Sequence, residues 1–170
     1  MKRLLIVWWS MTGGTRQLAE AAAKGAREAL REAGESDAVE IVLRRADEAT
    51  ADDVTGASAL IVATPENLAS MAGMMKDFFD RCWYSALDRV SGLPYAAIVC
   101  AGSDGQGALR QIARFATGWR LRQAADPLLV ITDAQTPEAI LAPKTIATAE
   151  LAKAAELGAT LAAGLAVGLW

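Results

Sequence analysis

Leu4 to Trp9 is a continuous apolar run that stops at Ser10-Met11-Thr12-Gly13-Gly14-Thr15. Such a run, without alternation, predicts a strand buried on both faces in the middle of a parallel sheet. From Gly14 to Ala33 the spacing turns helical. Leu18, Ala22, Gly25, Ala29 and Ala33 share one face, Arg16, Glu20, Lys24, Arg27, Glu28 and Arg31 lie mostly elsewhere, and Gly34 supplies a stop. Glu40–Leu43 predicts a short second strand, and the acidic stretch 46–56 a connection with about one helical turn. Ala57–Ala63 reads as a third buried strand ended by Thr64-Pro65. Ala72–Ser85 reads as a helix with Met75, Phe78 and Cys82 on one face. Tyr95–Ala101 predicts a fourth strand, closed by Gly102-Ser103-Asp104-Gly105-Gln106-Gly107. A helix follows to Thr117, with Leu109, Ile112, Ala116 and Trp119 on its face. Leu128–Ile131 predicts the fifth strand. Residues 132–144, with Pro137 and Pro143, read as irregular, and the last helix as 145–165.

Strands alternating with helices in this way predict an α/β fold of three layers, a doubly wound five-stranded parallel sheet with helices on both faces. A length of 170 residues predicts one domain, 1–170, with a substantial core. In this architecture ligands bind outside the carboxyl ends of the strands. Three strand ends therefore fall on one rim: Ser10–Thr15, Thr64–Met71 and Ala101–Gly107.

Composition narrows the chemistry. There is no histidine, which removes Ser-His and Cys-His nucleophiles, histidine acid–base work and histidine metal sites. The two cysteines, Cys82 and Cys100, lack metal-ligand spacing and read as buried, reduced thiols of a cytoplasmic protein. A net charge of −3 gives no reason to expect nucleic acid or an anionic membrane surface. The apolar stretch after Met1-Lys2-Arg3 is interrupted too early for a signal peptide, and Lys153 and Glu156 argue against a membrane span in 151–170. That apolar last helix packs either on a second subunit, making a homo-oligomer, or on this chain's own outer layer.

The first loop offers hydroxyls from Ser10, Thr12 and Thr15, and Gly13 and Gly14 let its backbone approach a ligand. It opens a helix, where amides lack partners and the dipole is positive. These features make a phosphate cradle that needs no Lys or Arg. The blander alternative is that Ser10 and Thr12 are helix caps. The loop lacks the Gly-Lys-Ser/Thr ending of a nucleoside-triphosphate loop and the Gly-x-Gly-x-x-Gly of a dinucleotide fold.

Ser10-Met11-Thr12-Gly13-Gly14-Thr15 resembles the Ser/Thr-x-Thr-Gly-x-Thr phosphate loop of the flavodoxin-like family. Thr64-Pro65-Glu66-Asn67, with Ser70-Met71-Ala72-Gly73 and the stretch Lys76–Arg81, resembles the third-strand region of that family's FMN and quinone reductases. Ala101-Gly102-Ser103-Asp104-Gly105-Gln106-Gly107 is similar to its fourth-strand glycine loop. The resemblance spans roughly residues 3–131 and implies a strand order of 2-1-3-4-5 and FMN as cofactor. It implies a site in which Ser10, Met11, Thr12, Gly13, Gly14 and Thr15 hold the phosphate. Thr64, Pro65, Glu66, Asn67, Leu68 and Met71, with Ala101, Gly102, Ser103, Asp104, Gly105 and Gly107, then surround the ring. Asn67-Leu68 stands where the family usually has an aromatic, so the ring is less covered. Glu66 and Asp104 are the acids nearest it, either facing the flavin or solvated in their loops. The Met71 amide is the better contact, its side chain being the core alternative. Arg110, Arg114, Arg120 and Arg122 read as a solvated basic face.

In this reading the cofactor carries the redox chemistry, and neither a catalytic side chain nor a metal is required. Two functions follow: an enzyme passing electrons from NAD(P)H through FMN to a quinone or similar acceptor, or an electron shuttle between partner proteins. The reductase-like stretch Met71–Arg81 and the weak net charge favour the first. A phosphorylated-ligand domain of the response-regulator kind fits poorly, because Trp8-Trp9-Ser10 stands where acids are needed.

Overall fold

The computed structural model describes residues 1–170. In chain order its elements are β1 (Lys2–Trp8), α1 (Gly14–Glu32), β2 (Val39–Arg45), α2 (Ala51–Thr55), β3 (Ala59–Asn67), β4 (Ser70–Met71), α3 (Gly73–Ala86), β5 (Pro94–Ala101), α4 (Gln106–Gly118), β6 (Arg122–Gln123), β7 (Leu128–Ile131), α5 (Pro137–Leu141) and α6 (Thr148–Ala166). β1 lies between β2 and β3, β5 lies beyond β3, and β6 and β7 both pair with β5; all these pairings are parallel. This is the expected 2-1-3-4-5 sheet with its fifth strand in two pieces. β6 pairs with Pro94-Tyr95 and β7 with Ile98–Ala101. Between them stands Pro127, which has no amide to give the ladder.

Both faces of the sheet are covered, so its strands read as continuous apolar runs while their side chains still alternate. Leu4, Ile6, Ala59, Ile61, Ala63, Ala96, Ile98 and Cys100 pack with α1 and α6. Leu5, Val7, Leu60, Val62, Ala97, Val99 and Ala101 pack with α3 and α4. Period-two alternation of Cβ direction thus builds two cores from one sheet.

α1 and α6 approach closely because small residues face each other. A Cβ at Gly25 would overlap the Ala155 carbonyl, and one at Gly158 would overlap the carbonyl of Ala22. α6 therefore finishes the outer layer of its own chain. On α1 the buried face runs through Leu18, Ala22, Ala26 and Leu30, and Ala33 is exposed. No helix is long and apolar enough to cross a membrane.

Two further departures from the sequence reading bear on the rim. Thr64-Pro65 does not end β3, which continues to Asn67 and turns back into β4 through a two-residue loop. Pro65 is tolerated there because the strand beyond it leaves the main parallel ladder for an antiparallel pair. The stretch 132–144 is not wholly irregular: Thr136 caps α5 by accepting from the Ala139 amide at 3.2 Å, and Pro137 opens it. The connection 46–56 carries its expected helical turn as α2, fixed by a capping box between Thr50 and Asp53.

Candidate functional site

The carboxyl end of β1 delivers the loop Ser10–Gly13 to the start of α1. Gly13 is the N-cap with φ 94°, in the left-handed region that glycine enters freely. Ser10 Oγ accepts from the Gly13 amide at 3.0 Å, which folds the loop on itself. No side chain caps α1, and its first turn carries no acid. Its positive end is therefore open. Thr15 is 1% exposed, and its Oγ1 has no hydrogen-bond partner. A buried hydroxyl without a partner is costly, so Thr15 has the environment of a group that completes its bonding with a ligand. Gly14 sits against Cys100, whose Sγ would be 3.0 Å from a Cβ placed there.

The other helix opening on this rim is already neutralised. α4 begins at Gly105, φ 79°, and none of its own side chains caps it. Glu66, at the end of β3, does so instead: its carboxylate accepts from the Gly105 amide at 2.9 Å and from the Ala108 amide at 3.0 Å. An anchored carboxylate on a helix N-terminus is charge-assisted and satisfies two orphan amides at once. Glu66 is thus neither a solvated loop acid nor free to act on a ligand as an isolated charge. Of the two helix starts, only that of α1 remains available to an anion.

Between Glu66 and Met71 the chain makes a tight hairpin, with Asn67 opposite Ser70. Its two loop residues, Leu68 and Ala69, have φ of 51° and 59°. Those are the left-handed angles of a type I′ turn, which normally selects Asn-Gly. Leu68 is fully exposed at the tip. The hairpin is held from below. Thr64, fully buried, accepts at Oγ1 from the Ala72 amide at 3.1 Å, and the Met71 amide donates to Gln111 Oε1 at 2.8 Å. Gly107 is needed because a Cβ there would overlap the Ala69 carbonyl.

A fourth wall comes from residues 132–144. Gln17 ties it to the first loop: Nε2 donates to the carbonyls of Gly13 (2.9 Å) and Lys144 (2.7 Å), and Oε1 accepts from the Ile146 amide (3.1 Å). The Lys144 amide donates to the Thr12 carbonyl at 2.9 Å. The Lys144 ammonium closes the end of α5, donating to the carbonyls of Ala139, Ile140 and Ala142.

These four segments enclose a cavity of about 490 Å³. Ser10, Met11, Thr12, Gly14 and Thr15 line it from the first loop, Pro65, Glu66, Asn67 and Leu68 from the hairpin, and Ala101, Gly102 and Ser103 from the end of β5. Six residues expected at the site stand outside this lining. Thr64 and Met71 are buried beneath the hairpin, Met71 with its amide already used. Gly105 and Gly107 serve the packing of α4 against Leu129 and Ala69. Asp104 is exposed and does not line this cavity, and Gly13 borders a neighbouring one. The sequence reading omits Ala69, Cys100, Thr132, Ala134, Ile140, Leu141 and Lys144, all of which line the cavity. For Thr132, Ala134, Ile140, Leu141 and Lys144 the signal is architectural: residues following the fifth strand must also emerge on this rim. Arg110 and Arg114 are exposed and take no part, and no aromatic side chain lines the cavity. Burial pushes the Cys100 thiol up to about 11, against the pull of Lys144, so it stands in the cavity wall as a neutral thiol. No cluster of His, Cys, Asp or Glu could hold a metal ion.

The model of a family described as NADPH-dependent FMN reductase matches residues 10–124. A flavodoxin of Aquifex aeolicus is 32% identical over 107 residues, 63% of this chain and 54% of that protein. An NAD(P)H dehydrogenase (quinone) of Acidithiobacillus ferrooxidans is 32% identical over 94 residues, 48% of this chain and 47% of its own. The chain thus spans about half the length of the curated relatives it matches. Among solved structures, an archaeal flavodoxin superposes with a TM-score of 0.72 at 18% identity, covering 96% of this chain and 98% of its own. A WrbA-like flavodoxin of Agrobacterium tumefaciens does so with 0.63 at 17% identity, covering 99% of each. These likenesses show a flavodoxin-like fold.

Proposed function

The chain belongs to the NADPH-dependent FMN reductase family, an FMN-binding, flavodoxin-like group, and from that premise we propose that it passes electrons from NAD(P)H through FMN to a quinone or similar small acceptor. When bound, FMN supplies the two-electron redox chemistry that no side chain here offers. The protein's part is to hold and orient. Ser10, Thr12 and Thr15, with the open amides of α1, receive the phosphate, and the buried, unpartnered Thr15 hydroxyl is the observation that carries this assignment. Pro65–Leu68 and Ala101–Ser103 face each other across the remainder of the cavity and take the ring. Glu66 fixes the two walls relative to one another through α4.

The choice of an enzyme over a shuttle rests on the absence of an aromatic side chain from the cavity wall, which leaves a ring face accessible to a second reagent. The quinone-dehydrogenase relative supports the acceptor class. The shuttle reading draws on the flavodoxin relative and on Leu68, a fully exposed apolar residue at the rim that a docking protein could cover. The experiment is an anaerobic titration of FMN-loaded protein with NADPH and NADH. Bleaching of the flavin absorbance, followed by recovery on adding a quinone, is the expected result. Flavin that stays oxidised under either nucleotide overturns the enzyme reading and leaves the shuttle. We place this activity in the cytoplasm, where both free thiols stay reduced.

A further inference from the structure

The break in the fifth strand opens a cavity away from the rim. β6 pairs with Pro94-Tyr95 and β7 with Ile98–Ala101, so Ala96 and Ala97 have no strand partner on that edge. The cavity beside them holds about 260 Å³. Tyr95 and Ala97 form its buried wall, Ala125 and Pro127 come from between the two strand pieces, and α4 supplies Leu109, Arg110 and Ile112. It shares no residue with the cavity assigned to FMN.

Two of its polar groups are unspent. Tyr95 is 7% exposed, and its hydroxyl makes no hydrogen bond within the chain. Burial alone pushes the Tyr95 phenol above its ordinary range, so it stays a neutral donor. A buried hydroxyl without a partner is costly unless something entering the cavity completes its bonding. Arg110 lies exposed at the mouth and takes part in no ion pair. No acid lines the space, and Asp126, between Ala125 and Pro127, is exposed and outside the lining. The walls between these two groups are apolar. A cation at the mouth suits a carboxylate, and a neutral donor at the buried end suits a hydroxyl or carbonyl oxygen. The volume is just below the about 300 Å³ at which pockets for drug-sized molecules begin, which restricts the body to about one ring.

We propose that this cavity is a second binding site, separate from that of the flavin, for a small arene carboxylate with a hydrogen-bonding oxygen at its far end. The carboxylate rests on Arg110 and the far oxygen accepts from Tyr95. The proposal stands apart from the flavin assignment. Its test is isothermal titration with 4-hydroxybenzoate, run with FMN in excess and again without it. Benzoate, which lacks the far oxygen, and 4-hydroxybenzamide, which lacks the charge, are the comparison probes. One-to-one binding of 4-hydroxybenzoate is expected with a dissociation constant of about 1 mM or below. The amide should bind about tenfold more weakly or worse, as should 4-hydroxybenzoate to Arg110→Ala. Tyr95→Phe, which removes only the hydroxyl, should weaken 4-hydroxybenzoate about threefold and leave benzoate unchanged. Arg114→Ala, on the same helix but outside the lining, should change neither. Absence of saturation by about 10 mM overturns the proposal. Equal losses in Arg110→Ala and Arg114→Ala overturn it in favour of a diffuse basic helix face. Binding abolished by excess FMN also overturns it, because the probe then occupies the rim. An unchanged affinity in Tyr95→Phe does the same. If a variant unfolds, the ranking of the three probes on the wild type decides: equal affinities overturn the proposal.

Discussion

Thr15 is buried like a core residue but polar like a surface one, and that conflict is the most informative feature of the rim. If its hydroxyl is kept for a phosphate, Thr15→Val, nearly equal in shape, has opposite effects on two measurements. FMN affinity falls about tenfold or more, the worth of one hydrogen bond to a charged group. The flavin-free protein becomes no less stable, because the unsatisfied hydroxyl goes with the substitution. Equal affinity in isothermal titration would remove Thr15 from the phosphate site. The thiols carry a second residue-level prediction. Burial raises Cys82 and Cys100 from 9.0 to about 11, so the unfolded chain loses these protons first as the pH rises. Their contribution to stability is complete below about pH 9 and is lost as the pH climbs through about 11. The urea midpoint should therefore fall between pH 8.5 and 10.5, and fall less in the Cys82→Ala, Cys100→Ala double variant. Equal slopes would show that the two thiols are not responsible.

At the scale of elements, the sequence predicts every helix and strand that lies in the main layers, because each carries enough residues for its period to show. β1 and α1 are legible from a run that switches at Ser10 from continuous to helical spacing. What escapes is short or held from a distance. β4 and β6 are two residues each, and α5 is five. The cap on α4 comes from Glu66, 39 residues before Gly105, and no local pattern announces it. The same distance explains why Glu66 reads from sequence as an acid beside the ring: spacing puts it on the rim, but only the fold shows its oxygens committed to two amides. Glu66→Ala should cost about 1–2 kcal/mol of stability and speed hydrogen exchange at Gly105 and Ala108. Asp104→Ala, which removes an exposed acid of the same loop, should stay within about 0.5 kcal/mol of the parent. If the two variants unfold together, the carboxylate is not the fastener of α4.

For the molecule as a whole, one sheet separates two cores, and the candidate flavin site lies along one edge of it. The topology is legible because alternation of strands and helices admits few arrangements, and it places three loops on the rim before any contact is known. The fourth wall, Thr132–Lys144, follows from the same rule but has no motif, so its lining residues, Leu141 and Lys144 among them, emerge only from the folded chain. With four segments distant in sequence meeting at one cavity, ligand binding must be linked to global stability. An excess of FMN about a hundred times its dissociation constant should add about 2.7 kcal/mol, which for a chain of this size raises Tm by about 5–10 °C. Riboflavin, with the same ring and no phosphate, should raise it much less, because the open end of α1 and the Thr15 hydroxyl then gain no partner. Equal shifts for the two ligands would place the anchor at the ring and not at Ser10–Thr15. No shift with FMN would remove the flavin from this cavity.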